Sequence, residues 1–96
     1  MNATEVINVW PTIRNIILGH IDDRKRRELI VSLKSLLYKG LPVEAKPFGY
    51  TMFYLACAQG NKDLVDFLID EGSDAHMRSK DHLLPIEIAA MMGEVI

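Results

Sequence analysis

One cysteine, four prolines and seven aromatic residues (three Phe, three Tyr, one Trp) are all that 96 residues hold of the types that staple, kink or stack a chain. A lone cysteine closes no internal disulfide, and the start MNATEVINVW has neither the basic residues nor the apolar run of a secretory signal. A reducing, intracellular and cytoplasmic setting is therefore expected. No stretch approaches the roughly 18 consecutive apolar residues of a membrane span, so no membrane partner is expected. Glycine-rich phosphate loops and the G-x-S-x-G elbow are absent, and no carboxylate pair has a reason to be desolvated. The length permits one domain with little core to spare for a deep pocket, so the reading is not an enzyme and has no cofactor. What is present, 49% hydrophobic and 25% charged residues, is the composition of a chain that folds.

Neither charge sign dominates, but the two halves differ. Residues 1–48 carry eight Lys or Arg against five acids, a net +3, and residues 49–96 carry three against eight, a net −5. The basic run Arg24-Lys25-Arg26-Arg27 could contact nucleic acid together with Lys34. Asp22, Asp23 and Glu28 offset it, and a pI near 5.8 lacks a domain-wide basic footprint, so a solvated helix face is preferred.

Apolar spacing marks helices along the chain. Asn2 or Thr4 suits a helix start, with Glu5 in the first turn. Pro11 either breaks that segment or kinks it before Ile13, Ile16 and Ile17 continue to Gly19. His20 reads as a helix-end residue. From Asp22 or Asp23, the residues Leu29, Ile30, Leu33, Leu36 and Leu37 form one stripe of a four-turn helix that Gly40 stops. The proline-bearing stretch from Leu41 to Phe48 is an extended connector. Short helical blocks follow at Met52 to Gln59 and Lys62 to Glu71, then a second connector from Ser73 to Leu84, and a last block from Pro85 to Met92.

The second half repeats itself. At an offset of 33 residues Leu55 maps to Ile88, Ala56 to Ala89, Cys57 to Ala90 and Gly60 to Gly93, with small residues where stacked helices would approach closely. Cys57 is thereby read as a buried structural thiol and not a nucleophile. His76 and His82 with Asp74 and Asp81 match no zinc spacing, so no metal is assigned.

Gly49-Tyr50-Thr51-Met52-Phe53-Tyr54-Leu55-Ala56-Cys57-Ala58-Gln59-Gly60-Asn61, followed by Lys62 to Asp74, resembles the ankyrin repeat family. Met52 stands where that pattern has proline, Tyr54 and Glu87 where it has histidine, Leu84 where it has threonine and His82 where it has glycine. The resemblance implies an all-α, ankyrin-type solenoid of antiparallel helix pairs with extended turn connectors and a non-repeat helical N-terminal cap. Its parts would be the cap over 1–28, with Trp10, Ile13, Ile16 and Ile17 packed on Leu29, Leu33 and Leu36, then a degenerate repeat end over 29–46, a clear repeat over 47–78 and an incomplete one over 79–96. Either the sequence is part of a longer array or another surface covers Ile88, Met91, Met92 and Ile96.

The implied function is a protein-protein interaction scaffold or adaptor that binds through connector tips and the concave face. Position by position this points to Phe48, Tyr50, Ala58, Gln59, Lys80, Asp81, Leu83, Met91 and Met92, with Phe48 and Tyr50 as aromatic anchors unless Phe48 packs beneath its connector. The alternatives are a homo-oligomeric module joined through residues 85–96 and a nucleic-acid-binding protein using Arg24 to Arg27.

Overall fold

A computed structural model describes residues 1–19 and 23–93, apart from the side chains of Ile16, Asp23 and Arg26. Helices α1 (Ala3–Leu18), α2 (Asp23–Tyr38), α3 (Met52–Gln59), α4 (Lys62–Asp70) and α5 (Pro85–Met91) follow in order, with no strand among the described residues. The expected roles of His20 and Asp22, and of Ile96 at the far end, lie outside them.

Asn2 starts α1 with a reciprocal cap. Its side chain accepts the Glu5 N–H at 2.8 Å while the Glu5 carboxylate accepts the Asn2 N–H at 3.3 Å. Pro11 does not break this helix. An internal proline lacks the N–H of one rung and costs about 3 kcal/mol, and the burial of Trp10, Ile13 and Ile17 around it offsets that cost. On α2 the expected stripe faces inward: Leu29 and Leu33 are buried, Ile30, Leu36 and Leu37 half-buried, and Arg27, Glu28, Ser32, Lys34 and Ser35 exposed.

The packing is that of stacked helix pairs. Helix α3 packs against α1, α4 and α5, and α2 packs against α4, so α1, α3 and α5 make an inner row and α2 and α4 an outer one. The sequence reading makes residues 1–28 a cap resting on Leu29, Leu33 and Leu36. The structure buries Trp10, Ile13 and Ile17 in one cluster with Leu29 and Leu33, and it also sets α1 against α3, in the inner row; residues 28 and 29 both lie inside α2. Leu36 remains half-buried beside an open groove between α1 and α2.

Neighbours on three sides explain α3. Every residue from Met52 to Cys57 is buried, so the helix is apolar all round and shows no amphipathic face. Ala56, Cys57 and Ala89 are buried, whereas Ala90 is exposed on α5, whose main neighbour is α3.

The 33-residue offset is also a backbone offset. Gly60 and Gly93 close α3 and α5 at φ 71° and 74°, and both connectors turn through a left-handed residue, Gly49 at φ 94° and His82 at φ 63°. Gly49 N–H donates to the Lys46 carbonyl and His82 N–H to the Ser79 carbonyl in the same way. Leu84, standing for threonine, caps α5 without a side-chain bond; the Glu87 carboxylate accepts the Leu84 N–H at 2.8 Å and pairs with Arg78 at 3.3 Å.

Met52 opens α3 after Thr51, whose hydroxyl accepts the Tyr54 N–H at 3.1 Å. Thr51 is extended at φ −81° and ψ 164°, which accommodates a following proline. Met52 is fully buried, however, so Met52→Pro exchanges about 0.4–1 kcal/mol of chain stiffening for a cavity costing a few kcal/mol. We expect a net loss of about 1–3 kcal/mol in urea unfolding; a variant more stable than the parent would show that the site collapses around the smaller ring.

Candidate protein-binding surface

The two connectors are tied at their tips. Lys80 N–H donates to the Gly49 carbonyl at 2.8 Å, Lys46 Nζ to the Arg78 carbonyl at 2.8 Å, and Asp74 N–H to Glu44 Oε1 at 2.5 Å. Tyr50 Oη donates to Asp81 Oδ2 at 2.7 Å. That bond, more than burial, raises the phenol above its ordinary pKa. The Lys80 ammonium lies 5.3 Å from the centre of the Tyr50 ring, and the Tyr50 and Tyr54 rings are 5.2 Å apart.

Tyr50, Lys80 and Phe48 thereby line one pocket of about 260 Å³, whose other walls are Trp10, Pro11 and Arg14 of α1 and Leu55 of α3. Phe48 is 49% exposed, so it does not pack beneath its connector. Asp81 adjoins the pocket through Tyr50. The other expected contact residues fall elsewhere. Gln59, Met91 and Met92 are exposed at the far ends of α3 and α5, about 12 Å along α3 by the usual helical rise. Ala58 and Leu83 are half-buried, and Leu83 packs against the core and does not project from its tip. Trp10, Pro11, Arg14 and Leu55 escaped the sequence reading as site residues, because nothing in the repeat spacing relates α1 to a connector more than thirty residues later.

The basic run sits apart from this pocket on α2, in the outer row. Arg24 pairs with Glu28 one turn on at 3.5 Å, Arg27 is exposed, and Lys34 lies 5.7 Å from the Phe67 ring centre. On α4 and its C-terminal cap the acids Asp63, Asp66, Asp70 and Glu71 are all exposed, with Lys62 donating to Asp66 at 2.7 Å. Asp74 accepts the His76 N–H, and no three of His, Cys, Asp and Glu converge among the described residues. None of the described helices is long and apolar enough to cross a membrane.

In comparisons with known families, residues 48–77 match the Ankyrin repeat. The chain carries an ankyrin repeat. Its α3–α4 pair, with the connector after it, is the matched segment, and the all-helical stack is the ankyrin-type helical repeat fold. Over 64 residues, 66% of this chain, it is 39% identical to the inactive serine/threonine-protein kinase TEX14 of Mus musculus and 38% to that of Bos taurus, covering 4% of each. Over a 64-residue span it is 31% identical to the putative ankyrin repeat protein FPV222 of Fowlpox virus, covering 9% of it. The chain thus spans less than a tenth of the length of these relatives. No solved structure matches.

Cys57 lies in the first helix of the ankyrin repeat, buried where Ala90 lies in the next unit. Burial pushes its thiol from an ordinary 9.0 to about 11. The folded state therefore keeps a proton that the unfolded chain releases, so stability is full below pH 9 and falls as pH rises toward 11. The loss from this group is on the order of 2 kcal/mol. Unfolding free energies of the parent and Cys57→Ala should converge over that window; parallel curves would place the thiol in contact with water.

Proposed function

We propose that this chain is a non-catalytic interaction module, an ankyrin-repeat scaffold or adaptor that holds a protein partner against its connector tips and inner helices. The observation that carries the reading is the convergence of an exposed Phe48 with Tyr50 and Lys80 over one pocket, because aromatic side chains on rigid, mutually bonded tips lose little entropy on contact. An ankyrin repeat supports protein binding in general; the particular surface is our assignment. A cytoplasmic setting goes with it, since the one thiol is buried and unpaired.

A photo-cross-linking residue at Gln59 is expected to give a discrete protein adduct in cells. The adduct should be lost in the Phe48→Ala, Tyr50→Ala double variant with helical circular dichroism unchanged. The same residue at Tyr38, 95% exposed at the end of the outer α2, should give none. Equal labelling from both positions would reject the surface.

A second reading, self-association through residues 85–96, is favoured by Ile86, Met91 and Met92, which are 74%, 68% and 59% exposed on one short helix and its end. It requires a mass that rises over a hundredfold range of concentration, and a constant monomer mass would reject it.

A further inference from the structure

We infer that the pocket between α1 and the connector tips receives an apolar side chain of a partner peptide segment whose neighbouring residue is acidic, the acid pairing with Arg14 and Lys80. The inference rests on the protein-binding reading above and adds the chemistry of the partner.

The size of the pocket comes first. At about 260 Å³ it lies below the roughly 300–1,000 Å³ of small-molecule sites, which leaves room for a side chain but not for a cofactor. Its walls are the buried Trp10 and Leu55, with Pro11 and Phe48 at the opening. These four of its seven lining residues are apolar, so the group that packs against them is apolar too.

Charge then selects what stands beside that group. Arg14 and Lys80 are the charged residues lining the pocket, both are exposed cations, and no described lining residue is acidic. Arg14 has no ion pair among the described residues, and the Lys80 ammonium is held over the Tyr50 ring. Lys80, like Arg14, has no ion pair among the described residues, and the nearby Asp81 carboxylate accepts from the Tyr50 hydroxyl at 2.7 Å. A guanidinium and an ammonium at the mouth of an apolar pocket are complementary to one carboxylate flanking one apolar residue.

The rest of the chain argues against a long polyanion. Residues 49–96 carry net −5, and the exposed acids of α4 would repel a nucleic acid that a two-cation spot could not hold. A short peptide motif meets the two cations without reaching the acids of α4.

The test is selection of a displayed random dodecapeptide library on the folded chain, followed by affinity measurement of the consensus peptide. Selected sequences should share an apolar residue next to Asp or Glu, and the Arg14→Glu, Lys80→Glu pair should weaken binding about tenfold or more. Both side chains are exposed, so helical circular dichroism should persist; Arg14→Met with Lys80→Met, which keeps the stem over Gly49, is the variant to use if it does not. A single-stranded oligonucleotide of twelve bases should fail to displace the peptide.

A consensus without an acid, affinity unchanged by either pair of substitutions, or displacement by the oligonucleotide would each overturn the inference. Selection of no peptide would overturn it as well. The protein-binding reading stands or falls separately, on the adduct from position 59.

Discussion

Replacing Trp10 by alanine should remove about 3–5 kcal/mol of unfolding free energy, the range for a large aromatic taken from a packed interior. Trp10 is 1% exposed and lies on α1, which packs on α3, the helix that also meets α4 and α5. The loss therefore reaches the centre of the stack and does not stop at one end. Domains of this size hold about 0.05–0.15 kcal/mol per residue, about 5–14 kcal/mol for 96 residues, so the loss takes from about a fifth to all of it. In urea the midpoint should fall by about 2–5 M for a slope of about 1–1.5 kcal/mol/M. One cooperative transition, shifted as a whole, is the expected form. If α1 melts alone while the signal from α3 and α4 stays at the parent midpoint, α1 is a detachable cap and the inner-row assignment fails.

The second large effect is expected at Gly49. Its φ of 94° is a conformation L side chains rarely adopt, and a Cβ there would lie 2.6–2.7 Å from Cδ, Cγ and Cβ of Lys80. The Lys80 side chain cannot simply swing away, because Lys80 N–H is bonded to the Gly49 carbonyl and its Cβ is among the atoms met. Gly49→Ala should cost about 1–3 kcal/mol in backbone strain alone. It should also part the connector tips, breaking the alignment of Tyr50 with Asp81 and Lys80 on which the pocket depends. Peptide affinity is then expected to fall along with stability. A Gly49→Ala chain of parent stability would mean that the tips are not coupled. His82 supplies an internal comparison: at φ 63° it already carries the penalty of a left-handed residue, so His82→Gly should be neutral or stabilising by up to about 1 kcal/mol in the same assay.

Much of the helical array was legible in the residues. The stripe Leu29, Leu33 and Leu36, the small residues Ala56 and Ala89, and the glycines at 60 and 93 act locally, through side-chain spacing and backbone permissiveness, and the structure has helices, contacts and turns where they indicate. The same local logic marked the solvated acids of α4, while the exposure of Phe48, left open by the sequence, was decided by the structure. It was less informative where a departure from the repeat pattern is compensated by something other than sequence identity. His82 keeps the glycine conformation, and Glu87 supplies part of the cap that Leu84 cannot.

Sequence alone determined the period and the helix boundaries near Asn2 and Gly40, and the ankyrin repeat it carries suggests a protein-protein interaction module. Tertiary structure decided that Pro11 stays within a helix, that α1 joins the inner row, that Ala90 is bare while Cys57 is covered, and that Arg14 faces Phe48 and Lys80 across one pocket. The physical reason is range. Capping, turn chemistry and periodic burial are settled within a few residues, whereas a proline's lost hydrogen bond is offset, and a pocket is walled, only by side chains that the stack brings together from distant parts of the chain.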